Sequence, residues 1–281
     1  KKSGDHWIAG DYGAWDKRIP YQVAMALLPM VERFYQQFDD YDPADATVRQ
    51  VLLDQTLTSS RIAIKGKKNL IYRAHQSMPS GVAITAVYNS LINSLLFRII
   101  YAELAIKHGW TYTRALNSYS THVTFAAYGD DHIARVSTPA FEFFNMASIS
   151  EQMAEHNIEY TSATKQQVVE MEVLDEDLIY LKRSFVDDHG IMQAPMKLHS
   201  ILDILNWVKA KDEYEAKEAQ AAAVLSVIIE LSHHPKDVFD HWYLRILSLC
   251  SQEGIKCPFM TYEEAFKARL NVNFDNEYEQ Y

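Results

Sequence analysis

The sequence predicts an α+β fold, with helices packed on an antiparallel sheet over residues 1 to about 195 and a helical segment after it. Three observations predict this. The apolar residues first switch repeatedly between the twofold spacing of a strand and the 3.6-residue spacing of a helix. Strand-like runs come in pairs around turn sequences, at Gly66, Gly129-Asp130 and Asp187–Gly190. After residue 197 every apolar stripe has helical spacing. A sheet with helices on it, then helices alone, is an α+β unit followed by a bundle.

In chain order, His6–Tyr12 predicts a short strand. Pro20 is placed to open a helix at its first turn, with Val23, Leu27, Leu28, Val31 and Phe34 as its apolar stripe. Residues 61–73 predict a hairpin around Gly66. Residues 81–107 predict a long helix that buries Ile84, Tyr88, Leu91, Leu95 and Ile99 and stops near Gly109. His122–Ala127 and Ile133–Val136 predict two strands around a Gly-Asp turn. A helix over 139–156 follows, with Phe141, Phe144 and Met153 as core, then an edge strand near Ile158–Thr161. A hairpin joins 178–186 to 190–196. Helices are expected at 198–209, 212–232, 236–251 and 261–270, and the Ala/Glu/Lys-rich stretch 210–224 reads as solvated.

Of the 281 residues 48% are apolar and 23% charged, the make-up of an ordinary globular protein, which excludes collagen-like, coiled-coil and disordered classes. Two cysteines cannot staple a secreted fold and point to a reducing compartment. No transmembrane segment is expected, because the stretch 95–106 is broken by Arg98 and Glu103, short of the ~20 residues a span needs. The chain opens on Lys1 without a signal-peptide pattern and reads as an excerpt or processed product of something longer. A net charge of −10 argues against a protein that coats nucleic acid, not against an enzyme with a local basic surface. Residues 61–73 supply such a surface: Arg61, Lys65, Lys67, Lys68 and Arg73 with no acid. A role along a template or nucleotide channel and a plain solvated hairpin are both open readings of it. His233, His234, His241, Cys250 and Cys257 have no compact zinc spacing.

Three aspartates stand out by position. Asp11 ends the first strand, and Asp130 and Asp131 occupy the turn of the central hairpin. If the strand lies beside that hairpin, Asp11 and Asp130 project together from one sheet edge, and like charges so crowded call for a cation between them. Hard divalent ions suit all-oxygen ligands, and a pair of them suits in-line phosphoryl displacement. Ser80-Gly81-x-x-x-Thr85-x-x-x-Asn89 puts Thr85 and Asn89 on one helix face behind a flexible step, a fit for ribose or phosphate. Asp16 stands just past the strand, where it can accept from a sugar hydroxyl beside Asn89. Each feature also has a plain structural reading, as a polar turn, an N-cap or a first-turn acid.

The order of these segments is more specific than any one of them. Gly10-Asp11-Tyr12-Gly13-Ala14-Trp15-Asp16, Met78-Pro79-Ser80-Gly81-Val82-Ala83-Ile84-Thr85 with Asn89, Tyr128-Gly129-Asp130-Asp131, Thr161-Ser162-Ala163-Thr164-Lys165 and Tyr180-Leu181-Lys182-Arg183-Ser184-Phe185 follow in turn. The series closely resembles motifs A to E of the RNA-directed RNA polymerases of picorna-like positive-strand RNA viruses. The resemblance implies a right-hand polymerase palm over 1–190 with a small fingers-side insertion near 45–78, a mostly helical thumb over 191–281, and fingers largely absent. It implies template-directed RNA synthesis by two-metal nucleotidyl transfer from ribonucleoside triphosphates, replicating a viral RNA genome.

The same resemblance implies roles for single residues. Asp11 and Asp130 would bind two Mg²⁺ ions, with Mn²⁺ able to substitute. The Tyr12 backbone carbonyl would be a further metal ligand, and Asp131 would support at the rim. Asp16, Ser80 and Asn89 would recognise the ribose 2′-hydroxyl, Thr85 would hold that network, and the loop at Gly81 would flex. Lys165 would serve as general acid to the pyrophosphate, and Lys182 and Arg183 would grip the primer backbone. Partners would be RNA template and primer, ribonucleoside triphosphates and other viral replication proteins, at replication complexes in the host cytoplasm.

Two departures stand beside this. The fingers and their basic nucleotide-binding motif lie N-terminal to motif A, and this chain begins about ten residues before it, which leaves open whether it acts alone. Ser184 stands where many relatives carry a bulkier residue. Three rivals share the residues: a catalytically incomplete RNA-binding fragment, a metal-dependent nuclease, and a reverse transcriptase. In the last, the sugar-facing site usually carries a bulky ring where this chain has Asp16.

Overall fold

The computed structural model describes residues 5–58, 60–65, 68–162, 170–188 and 191–270. The chain packs as two units, Lys1–Leu181 and Lys182–Tyr281.

The first unit opens with β1 (Asp5–Tyr12), whose alternation sends Ile8 and Tyr12 into the core. A short α1 (Trp15–Arg18) leads to α2 (Tyr21–Ala26) and α3 (Leu28–Tyr35). The single helix expected from Pro20 to Phe34 is therefore two. Pro29 has no N–H to give the preceding turn, so the helix restarts at Leu28 with Pro29 in its first turn. Phe34 is exposed rather than buried. Next comes α4 (Pro43–Thr58), tied to α3 by Arg49, whose Nε and Nη2 donate to the two Glu32 carboxylate oxygens at 2.6 and 2.7 Å. The strands β2 (Ser60–Lys65) and β3 (Lys68–Arg73) pair as the expected hairpin, with Ile62 opposite Ile71. Gly66 and Lys67 lie outside the described residues.

The long helix is α5 (Thr85–Lys107), followed by α6 (Tyr112–His122), which the sequence reading missed. Thr111 caps α6 by accepting from the Arg114 N–H at 3.3 Å. The central hairpin is β4 (Val123–Tyr128) and β5 (Asp131–Ser137). The helix expected over 139–156 is two, α7 (Thr138–Phe141) and α8 (Met146–Glu155). The break is a capping box: the Asn145 side chain accepts from the Ser148 N–H, and the Ser148 hydroxyl accepts from the Asn145 N–H. Last comes β6 (Tyr160–Ser162), completing an antiparallel sheet in the order β4-β5-β1-β6.

The face that α5 buries is turned from the stripe expected. Tyr88, Ile92, Leu96 and Ile100 are buried together with Asn89, Asn93, Phe97 and Tyr101, while Ile84 is exposed and Leu91 and Leu95 are half-buried. The helix is apolar nearly all round, so spacing alone does not single out one side. Its length and composition would allow a membrane crossing, and half of that stretch is buried inside this unit, as in a core helix.

The second unit contains β7 (Val186–Asp188), β8 (Ile191–Gln193), α9 (Leu198–Asp203) with a 3₁₀ turn at Ile204–Asn206, α10 (Glu213–Leu231), α11 (Lys236–Glu253) and α12 (Tyr262–Leu270). The expected hairpin is much shorter than 178–186 and 190–196. Leu181 and Lys182 have left-handed φ of 51° and 63°, which ends any strand there. Val224, Val227, Ile228 and Leu231 of α10 pack with Phe239, Tyr243, Ile246 and Cys250 of α11 as a separate core. The stretch 210–224 is helical from Glu213 and largely solvated up to Val224, as read from its composition.

Candidate active site

The site lies at one end of the four-stranded sheet. The register pairs Gly10 with His132 across β1 and β5, and Tyr128 with Asp131 across β4 and β5. Asp11 is thus one residue past the last β1–β5 pair, level with the end of the hairpin, where β6 takes over opposite Thr161. The turn works because Gly129 has φ +67°, a left-handed value that glycine adopts without penalty. Gly10 answers a different demand. A Cβ there would lie 2.3 Å from the Tyr160 ring and 2.8 Å from the Thr161 carbonyl oxygen, so only glycine lets β6 close on β1.

The second wall is the start of α5. Ser80, whose hydroxyl the sequence offers as a cap, does not cap it: the N-cap position is Ile84, without a side-chain cap. Instead the Thr85 hydroxyl donates to the Pro79 carbonyl at 2.7 Å and curls the 79–84 loop over the helix end. The Met78 N–H donates to the Asp16 carbonyl at 3.0 Å, which fastens this loop to the turn after β1. This backbone bond ties together two segments more than sixty positions apart in the sequence.

Between these walls is a cleft of about 770 Å³ lined by Asp11, Tyr12, Asp16, Ser80, Gly81, Thr85, Asn89, Asp130 and Asp131. Nine of the residues singled out from the sequence share one space. Asp16, Ser80, Asp130 and Asp131 are exposed, Asp11 and Thr85 half-buried, and Asn89 and Tyr12 buried. Among the described residues the Asn89 Oδ1 atom and the Trp15 indole N–H are buried without a hydrogen-bond partner, and both residues line the cleft. Lys165 lies outside the described residues. Lys182 and Arg183 belong to the second unit. Lys182 is exposed, whereas the Arg183 guanidinium donates to both Glu230 oxygens at 2.9 and 2.7 Å and to the Ala194 carbonyl at 2.9 Å.

The chemistry of the cleft is that of hard oxygen donors. Four of its lining residues are aspartates, with no histidine or cysteine among them. Among the described residues no three His, Cys, Asp or Glu side chains converge into a ready metal cage. Magnesium is ordinarily held by one or two carboxylates, with substrate phosphates and water completing the octahedron, so this donor set fits it.

Behind the cleft lies a buried polar layer that the sequence reading missed. The Tyr12 hydroxyl donates to Asn93 Oδ1 at 2.8 Å, and Asn93 Nδ2 donates to the carbonyls of Gly129 and Asp130, both at 3.1 Å. Burial lowers the His132 pKa to about 4, so the ring is neutral at ordinary pH. The Asp130 carbonyl 3.1 Å away can only accept, which assigns the proton to Nδ1 and leaves Nε2 to accept from the Tyr160 hydroxyl at 2.9 Å. Burial raises the pKa values of Tyr12 and Tyr160, so both keep the protons they donate. One signal was available: Thr85, Asn89 and Asn93 are spaced by four along one side of the helix.

Residues 1–251 match the family described as viral RNA-dependent RNA polymerase. The chain is 29% identical over 249 residues to a replicase polyprotein of Acute bee paralysis virus, covering 86% of this chain and 12% of that one. It is 30% identical over 275 residues to an RNA1 polyprotein of Cycas necrotic stunt virus, covering 95% and 11%. The chain thus spans about an eighth of the length of these relatives. A solved structure described as a Sicinivirus 3Dpol RNA-dependent RNA polymerase superposes with a TM-score of 0.70 at 17% identity, covering 95% of this chain and 51% of that one.

Proposed function

The chain belongs to the viral RNA-dependent RNA polymerase family, and from that premise we propose that it carries the catalytic centre for template-directed RNA synthesis from ribonucleoside triphosphates. On this reading the first unit is the palm and the second the thumb. The observation that carries the proposal is the single cleft in which Asp11, Asp130 and Asp131 meet Asp16, Ser80 and Asn89.

In the proposed reaction a primer 3′-hydroxyl loses its proton to water and its oxygen bonds to the α-phosphorus of the nucleotide while the bond to the bridging oxygen breaks, releasing pyrophosphate. Asp11 and Asp130, with the Tyr12 carbonyl and with Asp131 at the rim, are the groups that would hold Mg²⁺, or Mn²⁺ in its place. When bound, such ions supply neutralisation of the phosphate charge, the main demand of this chemistry. The buried Asn89 oxygen has an unused acceptor, and Asp16 adds a second, so a ribose 2′-hydroxyl finds partners that a deoxyribose cannot use. Lys165 is proposed to pass a proton to the departing pyrophosphate. For Lys182, contact with the primer strand remains the proposal; Arg183 would have to share its guanidinium with Glu230. RNA template and primer are the partners this activity requires.

Primer extension with Mg²⁺ tests the reading, using a polypeptide in which this chain carries its native flanking sequence. Asp130→Ala is expected to lose extension by about a hundredfold or more. Equal extension by that variant removes the assignment of the cleft. A preference for deoxynucleotides points to a reverse transcriptase, and RNA shortening without extension to a nuclease.

A further inference from the structure

The three polar groups that the hairpin turn directs at α5 are all taken by side chains of one helical turn. The Gly129 N–H donates to the Ser90 hydroxyl oxygen at 2.8 Å, and the Gly129 and Asp130 carbonyls accept from Asn93. The Ser90 hydroxyl is itself oriented by donating to the Ala86 carbonyl at 2.7 Å. Asn93 is fully buried, and its Oδ1 is turned by the Tyr12 hydroxyl from the end of β1. One carboxamide therefore touches the last residue of β1 and the turn that carries Asp130, and α5 supplies the fixed point between them. A helix is a stiffer support than a two-residue turn whose residues would otherwise face water.

We propose that Asn93, assisted by Ser90, is the positioning residue of the two-aspartate turn, setting where the Asp130 carboxylate stands relative to Asp11. This rests on the nucleotidyl-transfer reading above. Asn93 does not line the cleft and acts on the reaction through the backbone of residues 129 and 130. Groups that orient metal-holding carboxylates from behind are typically worth about 10- to 100-fold in metal affinity or activity. Asn89, one turn earlier, faces the nucleotide instead, so the two asparagines should separate kinetically.

The test is made in the same flanked polypeptide. Asn93→Leu is expected to lower kcat for extension by about 10- to 100-fold, with KM for ribonucleotides and RNA affinity within about threefold of wild type. Mn²⁺ binding, read by electron paramagnetic resonance without nucleotide or RNA, should weaken in parallel. Tyr12→Phe/Asn93→Leu replaces both partners of the Tyr12–Asn93 bond by apolar groups of similar shape and should recover the part of any lost stability that comes from an unpaired Tyr12 hydroxyl. A purely structural role predicts that kcat returns with stability; a positioning role predicts that it stays low. If Asn93→Leu does not fold alone, the double variant and Ser90→Ala, which removes only the acceptor for Gly129, give the same readouts. Unchanged kcat and Mn²⁺ affinity in folded variants overturn the proposal. Loss of Asp130→Ala as an inactive control would instead overturn the reading beneath it.

Discussion

A buried polar atom without a partner costs stability, and the Asn89 Oδ1 atom is such an atom. Its retention on an apolar helix is explained if a substrate hydroxyl satisfies it. Asn89→Leu, close in shape and a better helix former, should raise the stability of the nucleotide-free protein by about 1 kcal/mol. The same change should reduce the preference for ribonucleotides over deoxynucleotides by about tenfold. Thermal unfolding and paired incorporation assays read the two effects, and a destabilised variant with intact sugar preference would sink the assignment. At this scale much of the site was legible, because carboxylates at a turn and hydroxyls at a helix start announce their chemistry in the residue types. Asn93 and His132 were not read, since their work depends on which strand lies opposite. Nothing in the local sequence says that His132 faces Tyr160 or that Asn93 reaches two carbonyls.

Elements were predicted well where helical spacing covers a single element, as in α10 and α11, and poorly where the stripe runs through a break. Pro29 and the Asn145-x-x-Ser148 pair each stop a helix by local chemistry, yet apolar spacing continues across both. The helix α6 went unread because its residues are polar on most sides, with Ala115 and Tyr119 alone buried. The turn at Leu181 and Lys182 lacks the glycine that would have marked a left-handed backbone. The Asn145 break is open to a direct test. Its side chain accepts from Ser148 and also donates to the Phe141 carbonyl at 3.1 Å, so it fastens the start of α8 to the end of α7. Asn145→Ala should cost about 1–2 kcal/mol in chemical denaturation, and Asn145→Asp should recover part of it by keeping the cap acceptor alone. Equal stability of wild type and alanine variant would mean that packing, not the cap, sets the break.

Across the whole molecule the order of sheet first and bundle second was visible in the switch from mixed to purely helical spacing, since spacing reflects which face each element must bury. The place of division was less visible, because the chain passes it without a linker rich in glycine or proline. What defines the units is that each closes its own core. The first is built around Phe97, Tyr101 and Phe144 against Ile8 and Val136, and the second around Leu231 and Phe239. No residue of either buried cluster comes from the other unit's stretch of chain. Phe239 is 1% exposed and stacks on Tyr243 at 5.6 Å, so Phe239→Ala should remove about 3–5 kcal/mol from the helical core. Amide exchange is the measurement that resolves where the loss falls. Protection should drop in α10 and α11 and stay at its wild-type level in β1 and β5, whose hydrogen bonds hold the aspartates in place. An equal drop in the sheet would show that the two cores melt as one cooperative body, and that substitutions in the second unit reach the aspartate cleft through stability alone.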